Sequence, residues 1–305
     1  MEKEKIVIVG FGWASIGFLQ YIDDNLYDIV VLSKDDKFVY SPLLAQNVKK
    51  NYDLTIPIKS LKKNLTFVQD NVEHIDFQKK IVKTNHNYDF LIFSHGAEVN
   101  TFQIPGVEKY TYYLKTFEDS LAIKEKLQEL PNSSKIAVIG CGLAGSELIG
   151  TLSDMKRFKI FAIDALDRPV ITFDKTLSEK VIQTWEKQNI IMLFKSFVQE
   201  IKEKSLKIKD KEDVQCDMAV WCGGIKMSAL SQYVNKTLGL QNNRGIPVDS
   251  YLQVQGQKDL FAIGDCAYSG HPPTAQVAYQ QGIYLAKQFN QKLSKTKEFS
   301  FENKG

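Results

Sequence analysis

The sequence lacks any long apolar stretch and is poor in the residues that ligate metals or carry out thiol chemistry. No apolar run approaches the roughly 18–20 residues that a membrane-spanning helix needs. The cysteines show no CxxC spacing, and the histidines are scattered. We therefore expect no metal site and no redox dithiol, and we expect unpaired thiols in a reducing compartment. These residues are Cys141, Cys216, Cys222 and Cys266, and His74, His86, His95 and His271.

The sequence also lacks a strong charge of either sign. Its 39 Lys and Arg and 36 Asp and Glu residues leave a formal charge of +3, without a basic run, so we expect no nucleic-acid partner. A hydrophobic content of 44% is ordinary for a folded protein, and 305 residues suffice for about two domains. The first apolar strand begins at Ile6, which leaves no room for a targeting peptide, so we expect a cytoplasmic protein or one that is numbered after processing.

What the sequence does contain is one structural unit that occurs twice. An apolar strand, a glycine-rich turn, a helix and a second strand follow one another near the start of the chain and again in its middle. Such glycines let a dinucleotide pyrophosphate approach the backbone at the N-terminus of the helix, so each unit predicts a dinucleotide site. The first comprises strand 6–9, Gly10, Gly12, helix 13–24 and strand 28–32, and the second comprises strand 135–139, Gly140, Gly142, Gly145, helix 146–155 and strand 159–163.

The two glycine turns differ at two places. The second has all three glycines, and Asp164 stands at the end of its next strand. An acid there accepts hydrogen bonds from both ribose hydroxyls and repels a 2′-phosphate, which predicts NADH rather than NADPH. In the first turn Ser15 replaces the third glycine and Gly17 follows shortly after. Ser33, or slightly later Asp35, stands where the acid is expected.

A third segment combines an acid with a helix N-terminus. Strand 260–263 ends in Gly264–Asp265, and after a loop Pro272–Pro273 open a long helix. An acid that binds hydroxyls and a helix dipole that stabilises negative charge suit a reduced flavin, although an ordinary strand–loop–helix connection reads the same way. On this helix Gln276 and Gln280 are four residues apart, so both amides face the same way.

The order of these segments predicts the fold class and the domains. The two units are too far apart in sequence to be consecutive units of one sheet, and the strand–Gly–Asp–helix segment closes the first of them. We predict an α/β fold with two Rossmann-like dinucleotide-binding domains, the second inserted into the first. The discontinuous domain would comprise residues 1–113 and 245–305, and the inserted domain residues 114–244.

Short strings along nearly the whole chain match one enzyme family. They are Gly10–Gly17 with its tryptophan, Ser33 with Phe38–Leu44, Ser94–Ala97, Asn100–Phe102, Ile104–Val107, Leu114–Asp119, Gly145–Glu147, Ala165–Arg168 and, as the most specific, Ala275–Gln280. The chain thereby resembles the type II (alternative, non-proton-pumping) NADH:quinone oxidoreductases. That family has the two-domain flavoprotein fold of glutathione reductase.

The resemblance implies FAD in the discontinuous domain and NADH in the inserted one. For FAD it implies Gly10 and Gly12 at the pyrophosphate and Asp265 on the ribityl chain, with further contacts from Trp13, Ala14, Ser33, Pro42, Leu43, Gly96, Ala97, Gly264, Ala275 and Gln276. For NADH it implies Gly140, Gly142, Gly145, Asp164 and Gly223, with Glu147 near the nicotinamide. Gln276 and Gln280 would lie beside a quinone head group, unless they are solvent-facing helix residues. The predicted catalytic residues are therefore Glu147, Gln276 and Gln280.

The implied activity is the transfer of two electrons from NADH through FAD to a quinone-like acceptor, without proton pumping, in a respiratory chain. Family members continue beyond a string resembling Phe299–Gly305 with helices that bind the membrane and help dimerise, and this sequence stops on that string. The resemblance thus implies a homodimer and peripheral membrane contact, but the sequence does not contain the anchoring segment.

Three alternatives stay open at this point. A soluble flavoreductase would pass electrons from NADH to a protein, a dye or oxygen. A non-catalytic, nucleotide-bound subunit of a larger assembly would keep the glycine turns while its acceptor site decayed. A sulfide:quinone oxidoreductase shares the architecture but requires redox cysteines at positions where this sequence has none.

Overall fold

The computed structural model describes residues 3–62, 64–83, 85–295 and 297–302. Contacts between residues divide the chain into two units. The first unit comprises Met1–Val39, Thr55–Glu98 and Lys226–Gly305, and the second unit comprises Tyr40–Leu54 and Val99–Ile225. The end of the string Phe299–Gly305, residues 303–305, lies outside the described residues.

The α-helices vary from a single turn to the sixteen residues of the last one. Within the described ranges, none of them is both long and apolar enough to cross a membrane. The helices are α1 (Trp13–Tyr21), α2 (Leu44–Asn47), α3 (Val107–Tyr110), α4 (Phe117–Glu129), α5 (Leu143–Ser153), α6 (Lys175–Lys187), α7 (Ala229–Leu238) and α8 (Ala275–Asn290), with 3-10 turns at Ser41–Leu43, Ile58–Ser60 and Gly264–Cys266.

Each unit contains a five-stranded parallel sheet. Their strands are β1 (Glu4–Val9), β2 (Tyr27–Ser33), β3 (Leu65–Gln69), β4 (Phe90–Phe93), β5 (Tyr112–Tyr113), β6 (Lys135–Ile139), β7 (Lys159–Ile163), β8 (Ile191–Leu193), β9 (Met218–Trp221) and β10 (Leu260–Ala262). Other strands are Lys37–Val39, Thr55–Pro57, Ile75–Asp76, Ile81–Val82, His86–Asn87, Glu98–Val99, Val198–Lys202, Ser205–Ile208, Val214–Gln215, Ile225–Lys226, Ile246–Pro247 and Ala267–Tyr268.

The sheet of the first unit is built around β1. Its order is β10-β4-β1-β2-β3, and every neighbouring pair is parallel. Ile6, Val7 and Ile8 are fully buried, because both faces of a parallel sheet are covered. The first glycine turn leaves the carboxyl end of this central strand, where successive crossovers diverge to opposite sides and where dinucleotides bind in such folds.

The sheet of the second unit repeats this arrangement around β6. Its order is β5-β9-β6-β7-β8, again with every neighbouring pair parallel. The second glycine turn leaves the carboxyl end of β6, and both β6 and β7 occupy the predicted residues. The predicted α/β fold with two Rossmann-like sheets is confirmed.

Two helices have different bounds from those predicted, because glycine and cap conformations set their ends. α1 ends at Tyr21 rather than at Asp24, since Ile22 is already extended. α5 begins at Leu143 rather than at Ser146, because Gly142 is its N-cap residue.

The prediction that Pro272–Pro273 open the long helix is wrong. α8 begins at Ala275, and Thr274 is its N-cap residue, whose Oγ1 accepts a hydrogen bond from the N–H of Val277 at 3.3 Å. A threonine cap satisfies a helix N–H that a proline cannot. The N-terminus of α8 is therefore at Ala275–Val277.

α1 and α8 pack closely in the first unit because glycines face each other across the contact. A Cβ on Gly17 would lie 2.3 Å from the carbonyl oxygen of Tyr279, and one on Gly282 would lie 2.0 Å from that of Ala14. Only glycine permits this approach of two backbones. The close contact brings α8 beside the first glycine turn.

The bounds of the two units differ from the bounds predicted for the cofactor domains. Residues 40–54 belong to the second unit, where the Nδ2 of Asn47 donates to the Oγ of Ser120 at 2.9 Å. Residues 226–244 belong to the first unit, where the hydroxyl of Tyr233 donates to the carbonyl of Ile75 at 2.9 Å. Residues 99–113 belong to the second unit. Which residues serve each cofactor remains a prediction.

Candidate active site

The first glycine turn leaves an accessible backbone at the start of α1. Gly10 has φ +102°, and a Cβ there would lie 2.3 Å from the Cα of His95, so only glycine fits. Gly12 is the N-cap residue of α1, and a Cβ there would meet no atom within 4 Å. The turn thus has room for a pyrophosphate beside the first N–H groups of the helix.

Ser15 occupies the third position of this turn as a buried hydrogen-bonding residue. Its Oγ donates to the carbonyl of Gly10 at 2.9 Å and lies 2.6 Å from the Oγ of Ser94, which follows β4. Ser15 is fully buried. Serine is therefore accommodated here, and its hydroxyl connects the turn to the neighbouring strand.

Ser33 stands where the first unit would be expected to carry an acid. It is buried at the end of β2, and its Oγ accepts a hydrogen bond from the N–H of Asp35 at 3.3 Å. Its side chain therefore stabilises the local turn.

Several predicted flavin-side residues come together around this turn. The ring of Trp13 packs edge-on against Phe38, with centroids 4.9 Å apart, and against Tyr279 at 6.1 Å. Ala14 is buried, and a Cβ on Gly264 would lie 3.2 Å from the Cβ of Ala14. The turn at Gly264 and the start of α1 are thus direct neighbours.

Gln281 holds the turn that presents Asp265, and the sequence reasoning missed it. Its Oε1 accepts the N–H of Gly264 at 2.7 Å, and its Nε2 donates to the Oγ of Ser269 at 2.9 Å. Gln281 is only 1% exposed. A buried amide with both ends bonded fixes its neighbours. The available signal was a glutamine one turn after Val277, on the apolar face of α8.

His95 lies behind the first turn and was also missed. It follows β4, immediately before Gly96 and Ala97, and its Nε2 lies 2.9 Å from the Oγ of Ser231. Its Nδ1 is buried and has no hydrogen-bond partner among the described residues. Burial lowers the pKa of His95 to about 4, so the ring is neutral near pH 7. Gly96 has φ +74° and open space beside it.

The two glutamines predicted to face an acceptor have different surroundings. Gln276 is exposed in the first turn of α8, next to the half-buried Ala275. Gln280 lies one turn later, and both ends of its amide are bonded to the backbone of Glu302. The Nε2 donates to the carbonyl at 2.7 Å, and the Oε1 accepts the N–H at 3.0 Å.

The second glycine turn is more crowded than the first. Gly140 has φ +97°, and a Cβ there would lie 2.3 Å from the carbonyl oxygen of Cys222. A Cβ on Gly145 would lie 1.9 Å from the carbonyl oxygen of Gly140. Gly142 is the N-cap residue of α5, and a Cβ there would meet no atom within 4 Å. This turn too has room for a pyrophosphate at its helix N-terminus.

Asp164 binds the second turn from the end of β7. Its Oδ2 accepts the N–H of Cys141 at 2.5 Å, and its Oδ1 accepts the N–H of Leu166 at 2.8 Å. The residue is 9% exposed. Charge-assisted bonds to two backbone donors hold the carboxylate firmly beside the turn.

Glu147 and Pro42 line one cavity of the second unit, although they are far apart in sequence. The cavity has a volume of about 400 Å³, and Lys49, Lys50 and Asp154 also line it. Partial burial raises the pKa of Glu147 above its usual range. Leu43 follows Pro42 in the same 3-10 turn.

Gly223 lies two residues after the end of β9, against the indole of Trp221. A Cβ on Gly223 would lie 2.6 Å from the indole Cζ2. The indole Nε1 donates to the carbonyl of Asn100 at 2.9 Å, which fixes the ring. Gly223 therefore keeps the backbone close to a rigid aromatic surface.

The four cysteines are unpaired, and burial disfavours their thiolates. Burial raises the pKa of Cys216 to about 11 and the pKa values of Cys222 and Cys266 to about 12. The pKa of Cys141 is raised further by burial and by nearby Asp164. A thiol that stays protonated near pH 7 is a poor nucleophile, so these cysteines suit packing.

Several known proteins are similar to this chain in sequence or in fold. A probable mitochondrial NADH-ubiquinone oxidoreductase of Schizosaccharomyces pombe is 27% identical over 95% of this chain and 62% of its own length. A probable NADH dehydrogenase of Dictyostelium discoideum is 28% identical over 95% of this chain and 74% of its own. The chain thus spans less than two thirds of the first of these relatives.

A solved structure shares the fold. NDH2 from Plasmodium falciparum, determined in complex with NADH, superposes with a TM-score of 0.88 at 23% identity. The match covers 99% of this chain and 87% of the other. At the level of sequence families, residues 4–282 match the pyridine nucleotide-disulphide oxidoreductases. Together with the two parallel sheets and their glycine turns, this match shows that the chain belongs to the pyridine nucleotide-disulphide oxidoreductase family.

Proposed function

We propose that this chain is an FAD-dependent NADH dehydrogenase that passes two electrons to a quinone or quinone-like acceptor without pumping protons. One observation carries the proposal: each unit has a glycine turn at the carboxyl end of its central strand, with an open N-cap glycine, Gly12 or Gly142. The names of the relatives from S. pombe and D. discoideum support NADH as the donor, and that of the S. pombe protein supports a quinone acceptor.

The residues of the first unit fit FAD. The backbone at Gly10 and Gly12 would bind the pyrophosphate, and Asp265 would bind hydroxyls of the ribityl chain. Gln281 keeps the turn before Asp265 in place through its bond to the N–H of Gly264. The further residues of this unit proposed for FAD are Trp13, Ala14, Ser33, Gly96, Ala97, Gly264, Ala275 and Gln276. Bound FAD would supply the two-electron carrier that the side chains lack.

The residues of the second unit fit NADH. The backbone at Gly140, Gly142 and Gly145 would bind its pyrophosphate. Asp164 is held beside that turn and would bind the ribose hydroxyls, which disfavours NADPH. Glu147 would lie near the nicotinamide, and Gly223 with the adjoining indole would form one side of the NADH site.

The four thiols argue against two related activities. Disulfide reduction and sulfide oxidation both need a reactive thiolate, and burial raises the pKa of each cysteine of this chain. An acceptor that takes electrons without covalent chemistry fits these residues better.

The hydrogen bonds between Gln280 and Glu302 favour a second candidate function. Since the amide of Gln280 is bonded to Glu302, only Gln276 of the two glutamines is exposed. A soluble NADH:acceptor flavoreductase, whose acceptor would not need both glutamines, is therefore the second candidate.

Anaerobic spectroscopy separates these candidates. The purified protein should carry a flavin absorbance band that NADH bleaches and a short-chain quinone restores. If ferricyanide restores the bleached absorbance and a quinone does not, the second candidate is favoured. A protein with bound FAD that NADH does not bleach would contradict both.

We also infer a homodimer at the surface of a membrane. The resemblance to the type II NADH:quinone oxidoreductases implies both, and quinones partition into lipid. Sedimentation equilibrium should give twice the mass of the chain, and the protein should pellet with lipid vesicles that contain a quinone. A monomer that stays in the supernatant would contradict this inference and would support the cytoplasmic location expected from the sequence.

A further inference from the structure

We propose that Gln280 is a positioning residue that holds the segment 297–302, here called the strap, against α8. In this assignment Gln280 does not bind the acceptor itself. The strap would form an aromatic surface next to Gln276, and this surface would select ring-shaped acceptors. The inference deepens the proposed function and rests on it for the identity of the acceptor.

Both ends of the Gln280 amide are bonded to the strap. Its Nε2 donates to the carbonyl of Glu302 at 2.7 Å, and its Oε1 accepts the N–H of Glu302 at 3.0 Å. Both bonds go to one residue's backbone, as in a β-ladder pair. These two bonds use one N–H of the Nε2 and one lone pair of the Oε1, and they fix the orientation of the amide towards the strap.

Two more hydrogen bonds hold the strap to the first unit at its other end. The hydroxyl of Tyr284, one turn after Gln280 on α8, donates to the carbonyl of Lys297 at 2.7 Å. The N–H of Phe299 donates to the carbonyl of Ser250 at 2.8 Å. The strap is thus bonded at both ends and at its centre.

The strap contributes the rings of Phe299 and Phe301, which pack with aromatic side chains of the first unit. His271 packs edge-on against Phe299, with centroids 5.1 Å apart, and contacts Phe301 at 6.4 Å. The ring of Tyr284 lies 5.5 Å from Phe299. Gln276 is four residues before Gln280, which is about 6 Å along a helix axis. Because Gln280 is bonded to Glu302, this spacing would put the exposed Gln276 beside the aromatic surface.

Gln280→Met and Gln276→Met form a matched pair for the test, because methionine keeps the side-chain length and removes the amide. In hydrogen exchange, Gln280→Met should speed exchange over 297–302 by about tenfold or more, since two hydrogen bonds are lost. Gln276→Met should leave that exchange within about twofold of the wild type. Gln280→Glu keeps the acceptor for the N–H of Glu302 and should restore part of the protection.

Kinetics with two acceptors complete the test. Gln280→Met should raise the KM for a short-chain quinone by about fivefold without changing the rate at which NADH bleaches the flavin or the KM for ferricyanide. A raised quinone KM with unchanged exchange would overturn the proposal and make Gln280 a ligand. Faster exchange with unchanged quinone KM would also overturn it, because the strap would then not serve the acceptor. A wild-type protein that NADH does not bleach would reject the proposed function, and the exchange data would still decide whether Gln280 holds the strap.

Discussion

The two glycine turns meet the same requirement with different residues. Both leave the central strand of a parallel sheet, and in both the first glycine donates to the end of the next strand at 2.8 Å, Gly10 to Leu32 and Gly140 to Ile163. In the second turn the helix comes so close to the turn that the third position must be glycine, Gly145. In the first turn Ser15 fills that position and bonds to Gly10.

In the first unit, the close packing of α1 is made at a different position. Gly17, two residues beyond Ser15, approaches the backbone of α8 instead. The departure from the three-glycine pattern therefore does not indicate a lost nucleotide site. The close contact of α1 is made with α8 instead of with the turn itself.

The largest expected effect is at the third position of the second turn. Gly145→Ala would place a Cβ 1.9 Å from a backbone oxygen that cannot move easily. We expect a loss of about 3 kcal/mol or more in the free energy of unfolding. Gly150→Ala in the same helix meets no atom within 4 Å and should stabilise by about 0.5–1 kcal/mol. Urea denaturation measures both, and equal effects would contradict the packing described.

Next in size is the pH dependence that His95 gives to the first turn. Its folded pKa of about 4 lies below the ordinary value of 6.5, so the unfolded chain binds the proton first as the pH falls. The contribution of His95 to the free energy of unfolding should be fully present above pH 6.5. It should fall as the pH is lowered towards 4, by up to about 3 kcal/mol. His95→Val should flatten the change in urea midpoint between pH 7 and pH 4.5. An unchanged slope would show that the neutral ring is not responsible.

The third effect concerns the turn before Asp265. Gln281→Leu leaves the N–H of Gly264 without its acceptor and should cost about 2 kcal/mol, together with a weaker hold on FAD. Gln288→Leu is a matched control, because Gln288 is also buried on α8 but bonds to Lys295 instead. Flavin content after gel filtration should fall in the first variant only, and equal retention would contradict the positioning role.

How much of this could be read from the sequence depends on the range of the contacts. The strands β6 and β7 were predicted residue for residue, because a parallel strand buried on both faces is a continuous apolar run. The glycine turns could be placed as well, because each comes directly after such an apolar run. The start of α8 is not evident from the sequence, because Pro272 and Pro273 suit the first turn of a helix as well as Thr274 suits its N-cap position.

The features that were missed depend on contacts between distant residues. The bond from Asn47 to Ser120 helps to explain why residues 40–54 belong to the second unit, and these residues are 73 positions apart. Gln280 meets Glu302 across 22 positions, and His95 meets Ser231 across 136. No local pattern of residues encodes such pairs.

The fourth prediction contrasts the acid of the second unit with Ser33 of the first. Asp164→Asn removes the charge that would repel a 2′-phosphate and weakens the bonds to Cys141 and Leu166. The preference for NADH over NADPH, measured as the ratio of kcat/KM values, should fall about tenfold. Unchanged selectivity would remove Asp164 from the NADH site.

The smallest expected effect returns to the third position of the first turn. Ser15→Ala loses one hydroxyl, while the Oγ of Ser94 stays within 3.2 Å of the carbonyls of Val9 and Gly10. We expect a loss of about 1 kcal/mol in urea denaturation, and flavin should stay bound. A loss as large as that of Gly145→Ala would show that the two third positions have equivalent roles.

The central claim is that the two turns bind different cofactors, and a pair of valine variants tests it most directly. A Cβ at Gly12 or Gly142 meets no protein atom, so Gly12→Val and Gly142→Val should fold and obstruct only a ligand. We predict that Gly12→Val purifies without flavin absorbance, whereas Gly142→Val keeps its flavin and is no longer bleached by NADH. Retained flavin in Gly12→Val, or normal bleaching of Gly142→Val by NADH, would contradict the claim.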